Sequence, residues 1–133
     1  MITRCASCSC GQLQILCEGE PVRVSVCHCL ECKRRTGSAF SWNARYPEGR
    51  VRIEGRSKVF ERVGDEGSRL RFHFCPDCGS TVHYENSDAP GFVAVPVGGF
   101  ADPDFPEPTV SVYDPMRRCA WVSLTGDNLE RLG

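Results

Sequence analysis

No stretch of this chain stays apolar for the roughly 18 residues that a membrane-spanning helix needs. The opening residues, "MITRCASCSCGQLQ", contain nothing like the apolar centre of a secretory signal. Charge is in excess of neither sign: 16 Lys and Arg face 17 Asp and Glu, for a formal net charge of −1. A basic stripe for nucleic acid and a polybasic patch for an anionic membrane are both missing. Helical periodicity is scarce too, since no segment carries an apolar stripe longer than two turns. These absences point to a cytoplasmic globular protein with no nucleic-acid or membrane partner, and they leave the oligomeric state open.

Thiol is what the chain has in abundance. Ten of its 133 residues are cysteine, just under the roughly 8–10% that marks a disulfide scaffold. Such scaffolds are short and secreted. Here "CSC" and "CHC" set thiols two residues apart, a spacing that would force a small strained ring if bridged. Clustered, reduced cysteines at these spacings read as metal ligands.

Between the clusters the pattern has period two. "QLQILC" alternates Leu13, Ile15 and Cys17, and "VRVSVC" alternates Val22, Val24 and Val26. Comparable runs follow at "AFSWNARY", "RVRIEG", "KVFERV", "RLRFHF", "STVHYE", "FVAVPV" and "CAWVSL". Short alternating runs broken by Gly, Pro, Asp or Asn predict antiparallel strands in an all-β domain. One short helical turn is expected around "LECKRR". "GDEG" (64–67) predicts a hairpin loop and "ADPDFPEPT" (101–109) a proline-stiffened surface loop. One domain spanning 1–133 is the expectation, with a core at about 7–124. The tail "DNLERLG" has too little apolar content to predict order.

The sharpest local signal is Cys75-Pro76-Asp77-Cys78-Gly79, a tight turn that points two sulfurs at one place. The glycine supplies the positive φ that such turns use. Two ligands do not satisfy structural zinc, which takes four. The partners come either from Cys5, Cys8 and Cys10, or from two of Cys27, Cys29 and Cys32. If Cys8 and Cys10 complete the knuckle, the middle cluster keeps three thiols. In an extended segment Cys27 and Cys29 face one side and His28 the other. Cys32, a turn further on, can swing back to join them. Three protein ligands with a vacant fourth position is the pattern of a reactive zinc. Spacing alone does not choose between these pairings.

"CSCGQLQI", "VCHCLECKRRTGSAF" and "FCPDCGSTVHY", in that order and separation, resemble the glutathione-dependent formaldehyde-activating enzyme family, whose domain is shared with centromere protein V. The resemblance runs from about Ser7 to Trp121. It implies a β-tent fold of small packed antiparallel sheets. It also implies that Cys8, Cys10, Cys75 and Cys78 hold a structural zinc, while Cys27, Cys29 and Cys32 hold a second, catalytic one. Cys5 makes an additional "CASC" that the family pattern does not require, which leaves it as an alternative ligand to Cys10.

An open three-thiolate zinc is electron-rich and favours a soft fourth ligand, a substrate thiol bound as thiolate. The activity implied is that of a carbon–sulfur lyase resembling S-(hydroxymethyl)glutathione synthase, acting on glutathione or a similar small thiol and a small aldehyde. Lys33, Arg34 and Arg35 follow the third thiol, and Arg34 and Arg35 match the family's basic pair as candidates for the carboxylates of that thiol. The alternative function is a zinc-stapled binding module without catalysis. Among the remaining candidates, His28 is either a hydrogen-bond donor behind the site or structural, and His73 and His83 are expected to be structural. Cys17 and Cys119 are expected in the core. Trp42, Tyr46, Phe100 and Trp121 are candidate pocket walls, with core packing the commoner fate of aromatics.

Overall fold

The computed structural model describes residues 1–126 and 128–133. Among these, the strands in chain order are β1 (Thr3–Ser7), β2 (Gln14–Glu18), β3 (Arg23–Cys27), β4 (Ser41–Pro47), β5 (Val51–Glu54), β6 (Lys58–Val63), β7 (Arg69–Phe74), β8 (Thr81–Asn86), β9 (Phe92–Pro96), β10 (Val110–Val112) and β11 (Glu130–Leu132). One helix, α1 (Leu30–Thr36), follows β3, and two short 3-10 turns cover Glu48–Arg50 and Val97–Phe100. No helix of the described residues is long and apolar enough to cross a membrane.

The alternation read from the sequence becomes two sheets. The smaller has the order β1-β2-β5 and the larger β11-β10-β3-β4-β9-β8-β7-β6. Leu13, Ile15 and Cys17 are wholly buried, as are Ala44, Tyr46, Val95 and Val97 opposite them in one apolar cluster. Burial of each large side chain in this layer stabilises the fold by roughly 1.5–3 kcal/mol. Tyr46, Trp42 and Phe100 belong to this core or pack on it, so their aromatic area serves cohesion. The all-β, mostly antiparallel packing is what a β-tent fold calls for.

Several expectations are corrected. "CAWVSL" forms no strand: Cys119 to Val122 closes a turn and Trp121 is 79% exposed, not a pocket wall. Val22 lies outside β3 and is exposed. The tail does enter the fold, at β11, although Asp127 lies outside the described residues. β10 pairs in parallel with both β3 and β11, so the large sheet is not purely antiparallel. The loop at 101–109 is irregular, as expected, but drives Phe105 into the core.

Candidate metal centres and the arginine-lined cavity

Two tight turns from distant parts of the chain build the first cluster. At Cys8–Gly11, the Gly11 N–H donates to the Cys8 carbonyl at 3.0 Å, with Gly11 at φ 84°. At Cys75–Gly79, the Gly79 N–H donates to the Cys75 carbonyl at 2.8 Å, with Gly79 at φ 82°. Both glycines hold a backbone conformation that a side chain would strain. Ser9 and Ser80 hydroxyls, 3.1 Å apart, tie one turn to the other.

The sulfurs of Cys8, Cys10, Cys75 and Cys78 lie within 4.8 Å of one another. Cys8 to Cys10 is 3.6 Å and Cys10 to Cys75 is 3.7 Å. Zn–S bonds of about 2.3 Å in a tetrahedron imply sulfurs ~3.8 Å apart, so this set fits the ion. The surrounding donors favour thiolates: the Leu13 N–H reaches Cys8 Sγ at 3.3 Å, and Gln12 Nε2 reaches Cys75 Sγ at 3.0 Å. Hydrogen bonds from Ser80, first its hydroxyl and then its backbone N–H, pull the Cys78 thiol down to about 5. Gln12 is held in turn by Arg56, whose N–H donates to its Oε1 at 3.0 Å. Gly55 makes that approach possible, because a Cβ there would collide with the Gln12 carbonyl. Cys5 stays apart on β1, exposed, with its sulfur toward Gln14.

Cys27, Cys29 and Cys32 form the second cluster, again with sulfurs within 4.8 Å. Cys27 ends β3; Cys29 caps α1, its sulfur accepting from the Cys32 N–H at 3.2 Å. Cys32 therefore turns back as its spacing predicts. The helix is stopped by Gly37, in the left-handed conformation, whose N–H donates to the Lys33 carbonyl. The Cys29 thiol is held far below its usual range by hydrogen bonds from Cys27 and then Cys32, while the same sharing pushes Cys27 up. Three thiols converging on one point are a donor set suited to a soft cation.

His28 points the other way and is fully buried. Its Nε2 lies 3.0 Å from Ser111 Oγ, which donates to Asp114 Oδ2 at 2.9 Å; Arg118 Nε donates to Asp114 Oδ1 at 2.7 Å. This buried relay fixes the segment from Cys27, at the end of β3, to Cys29, the cap of α1, against β10. Ser111, Asp114 and Arg118 carried no signal in the sequence, because one sits in a strand of three residues and the other two in the polar turn that follows it.

The trio opens on a cavity of about 620 Å³. Arg23, Arg35, Arg45, Arg62 and Arg117 line it, and all five are partly buried. The acidic residues of the same wall, Glu31, Asp65, Glu66 and Asp88, are exposed at its rim. Arg23 and Arg45 face each other across the β3–β4 ladder. Like charges in that position are destabilising; burial and then Arg23 lower the pKa of Arg45. Arg35 lies 4.7 Å over the Phe72 ring and 5.5 Å from that of Tyr84. Asn43 Oδ1 and the Nε atoms of Arg23 and Arg35 are buried without a partner.

Arg34 points outward, 78% exposed and 3.7 Å from Glu31, and does not line this cavity. Lys33 Nζ reaches the Arg117 carbonyl at 2.6 Å and Cys119 Sγ at 3.4 Å. Cys119 is thus partly buried beside Lys33, whereas Cys17 lies fully in the core. His73 and His83 stack at 4.3 Å across β7 and β8. Burial, and then His73 beside it, lowers the pKa of His83 to about 4, so its ring is neutral at pH 7.

A structure so built matches a known family. Residues 3–115 match the model of the glutathione-dependent formaldehyde-activating enzyme family, and the chain belongs to that family. No curated protein matches it. Among solved structures, a Rhodobacter sphaeroides protein determined by structural genomics is similar in fold. Its TM-score is 0.55 at 21% identity, over 71% of this chain and 85% of that one.

Proposed function

We propose that this chain is a zinc-dependent carbon–sulfur lyase that forms and breaks the S-hydroxymethyl adduct of glutathione or a similar small thiol. Cys27, Cys29 and Cys32 are the residues that hold the ion. The observation that carries the reading is the opening of that trio onto a cavity whose partly buried charges are arginines. Its volume falls within the range of small-molecule sites. A zinc held by three thiolates supplies one thing here, a fourth position at which a thiol loses its proton at neutral pH.

The chain's own residues do the rest. Arg23, Arg45 and Arg35 bind the carboxylates of the thiol by charge-assisted hydrogen bonds, which relieves the repulsion between the facing Arg23 and Arg45. Asn43 Oδ1, which lacks a partner, accepts from an ammonium or amide N–H of the same molecule. In the forward direction the sulfur adds to the carbonyl carbon of formaldehyde. A C–S bond forms, the carbonyl π pair passes to oxygen, and that oxygen takes a proton in place of the one sulfur lost. Reversal breaks the C–S bond and returns thiol and aldehyde. The description of the family names glutathione and formaldehyde, and all ten cysteines are free, which suits a reducing cytoplasm. The chain works as one zinc-binding domain with a second, structural zinc at Cys8, Cys10, Cys75 and Cys78.

The test is exchange NMR on glutathione and formaldehyde at equilibrium. The protein should speed interconversion of free and hydroxymethylated thiol. Arg45→Gln should raise the KM for glutathione about 10- to 100-fold, the loss of one charged hydrogen bond, and should melt no lower than wild type. Cysteamine, which lacks the carboxylates, should be insensitive to the change. A protein that leaves interconversion at the uncatalysed rate would instead be a binding module.

A further inference from the structure

On the face of β7 and β8 away from the arginine cavity, His73, His83 and Glu85 bring three further ligand atoms to within 4.8 Å of one another. His73 and His83 are direct cross-strand partners, and Glu85 lies two residues beyond His83, on the same face of β8. The register breaks immediately after His73, where a bulge leads into the knuckle. His73 Nε2 lies 2.6 Å from Glu85 Oε2. His83 is different. It is 2% exposed, its ring stacks on His73, and both of its nitrogens are buried with no hydrogen-bond partner.

A buried imidazole with neither nitrogen satisfied costs stability, and packing alone does not call for one here. A phenyl or leucine side chain would fill the same space without that cost. The unpartnered nitrogens sit instead beside a second imidazole and a carboxylate that is 45% exposed, which leaves a route in from solvent. Two imidazoles and one carboxylate are the donor set of open zinc and non-haem iron sites.

We infer that His73, His83 and Glu85 form a third metal site, a nitrogen–oxygen site for a divalent first-row transition ion, separate from both thiolate clusters. Three protein ligands leave open positions for water on the Glu85 side. The ion fastens β7 to β8 just before the chain turns into the Cys75 knuckle. The site depends on no property of the arginine cavity, so it stands whether or not the lyase reading does.

Cobalt titrated into full-length protein whose cysteine clusters are already loaded with zinc tests this. Expected is one further equivalent, with weak visible d–d bands and no strong near-ultraviolet thiolate charge-transfer band. Glu85→Gln and His73→Gln, both at partly exposed side chains, should weaken that equivalent about tenfold or more, and His83→Gln should remove it. The zinc content of the thiolate clusters should stay that of wild type in each variant. The inference is overturned if no further equivalent binds, if cobalt enters only with a thiolate charge-transfer band, or if the further equivalent survives unchanged in Glu85→Gln and His73→Gln.

Discussion

Cys8→Ser, Cys10→Ser, Cys75→Ser and Cys78→Ser should each yield insoluble protein, or protein that melts roughly 10–20 °C lower than wild type. The four thiols come from two turns 65 residues apart, counted from Cys10 to Cys75. A cross-link across a loop of that length removes about 4 kcal/mol of chain entropy from the unfolded state, and a metal clip acts in the same way. Cys8 and Cys75 are also buried against the core cluster, where a serine hydroxyl would have to be desolvated. The loss should appear in thermal melts of reduced protein and be reproduced on wild type by a strong chelator. Melting that stays unchanged after the metal has demonstrably left would show that the turns are held by the Ser9–Ser80 contact and packing alone.

Cys29→Ser should do the opposite, leaving the melting temperature within about 5 °C of wild type while abolishing adduct turnover. The trio is contributed by one segment of six residues, so its ion closes a short loop and restrains little of the unfolded chain. Serine is moreover a good N-cap, and its hydroxyl can replace the sulfur that accepts the Cys32 N–H. Metal analysis should find one ion fewer per chain than wild type, with the ion at the knuckle retained. Cys27→Ser and Cys32→Ser should behave alike. If the trio variants unfold and the Cys8 and Cys10 variants do not, the roles are exchanged and the middle cluster is the staple.

The strands were legible because their inward faces are bought by hydrophobic burial, which writes period two into the sequence. That signal fails where edge availability decides. "CAWVSL" alternates as well as any strand, but β10 already has β3 on one side and β11 on the other. The free edge went to the polar tail through backbone bonds, the Asp114 N–H to the Leu132 carbonyl at 2.8 Å and the Glu130 N–H to the Thr109 carbonyl at 2.9 Å. Backbone pairing of this kind leaves almost no mark on composition.

The site divides similarly. Cysteine spacing located both clusters, and the glycine after Cys78 indicated the second turn. Which turn meets which was not readable from spacing; the family resemblance implied it, and the fold shows it where Ser9 lies beside Ser80. The arginines were less legible. In "VRVSV" nothing local tells whether a polar position meets bulk water or a cavity. Arg23 and Arg45 become informative only when the β3–β4 register sets them opposite each other. Arg34 and Arg35, adjacent in sequence, part company because one helical step of about 100° carries Arg35 to the cavity and Arg34 to solvent.

The central claim is that the ion held by Cys27, Cys29 and Cys32 takes a substrate thiol at its fourth position. Cobalt placed at that cluster gives a thiolate charge-transfer band, and glutathione added to millimolar-order concentration, a level suited to a weak small-ligand site, should shift and intensify it. The same addition to Cys29→Ser should change nothing. A band in the wild-type protein that is indifferent to glutathione, and to cysteine and cysteamine after it, would contradict the account.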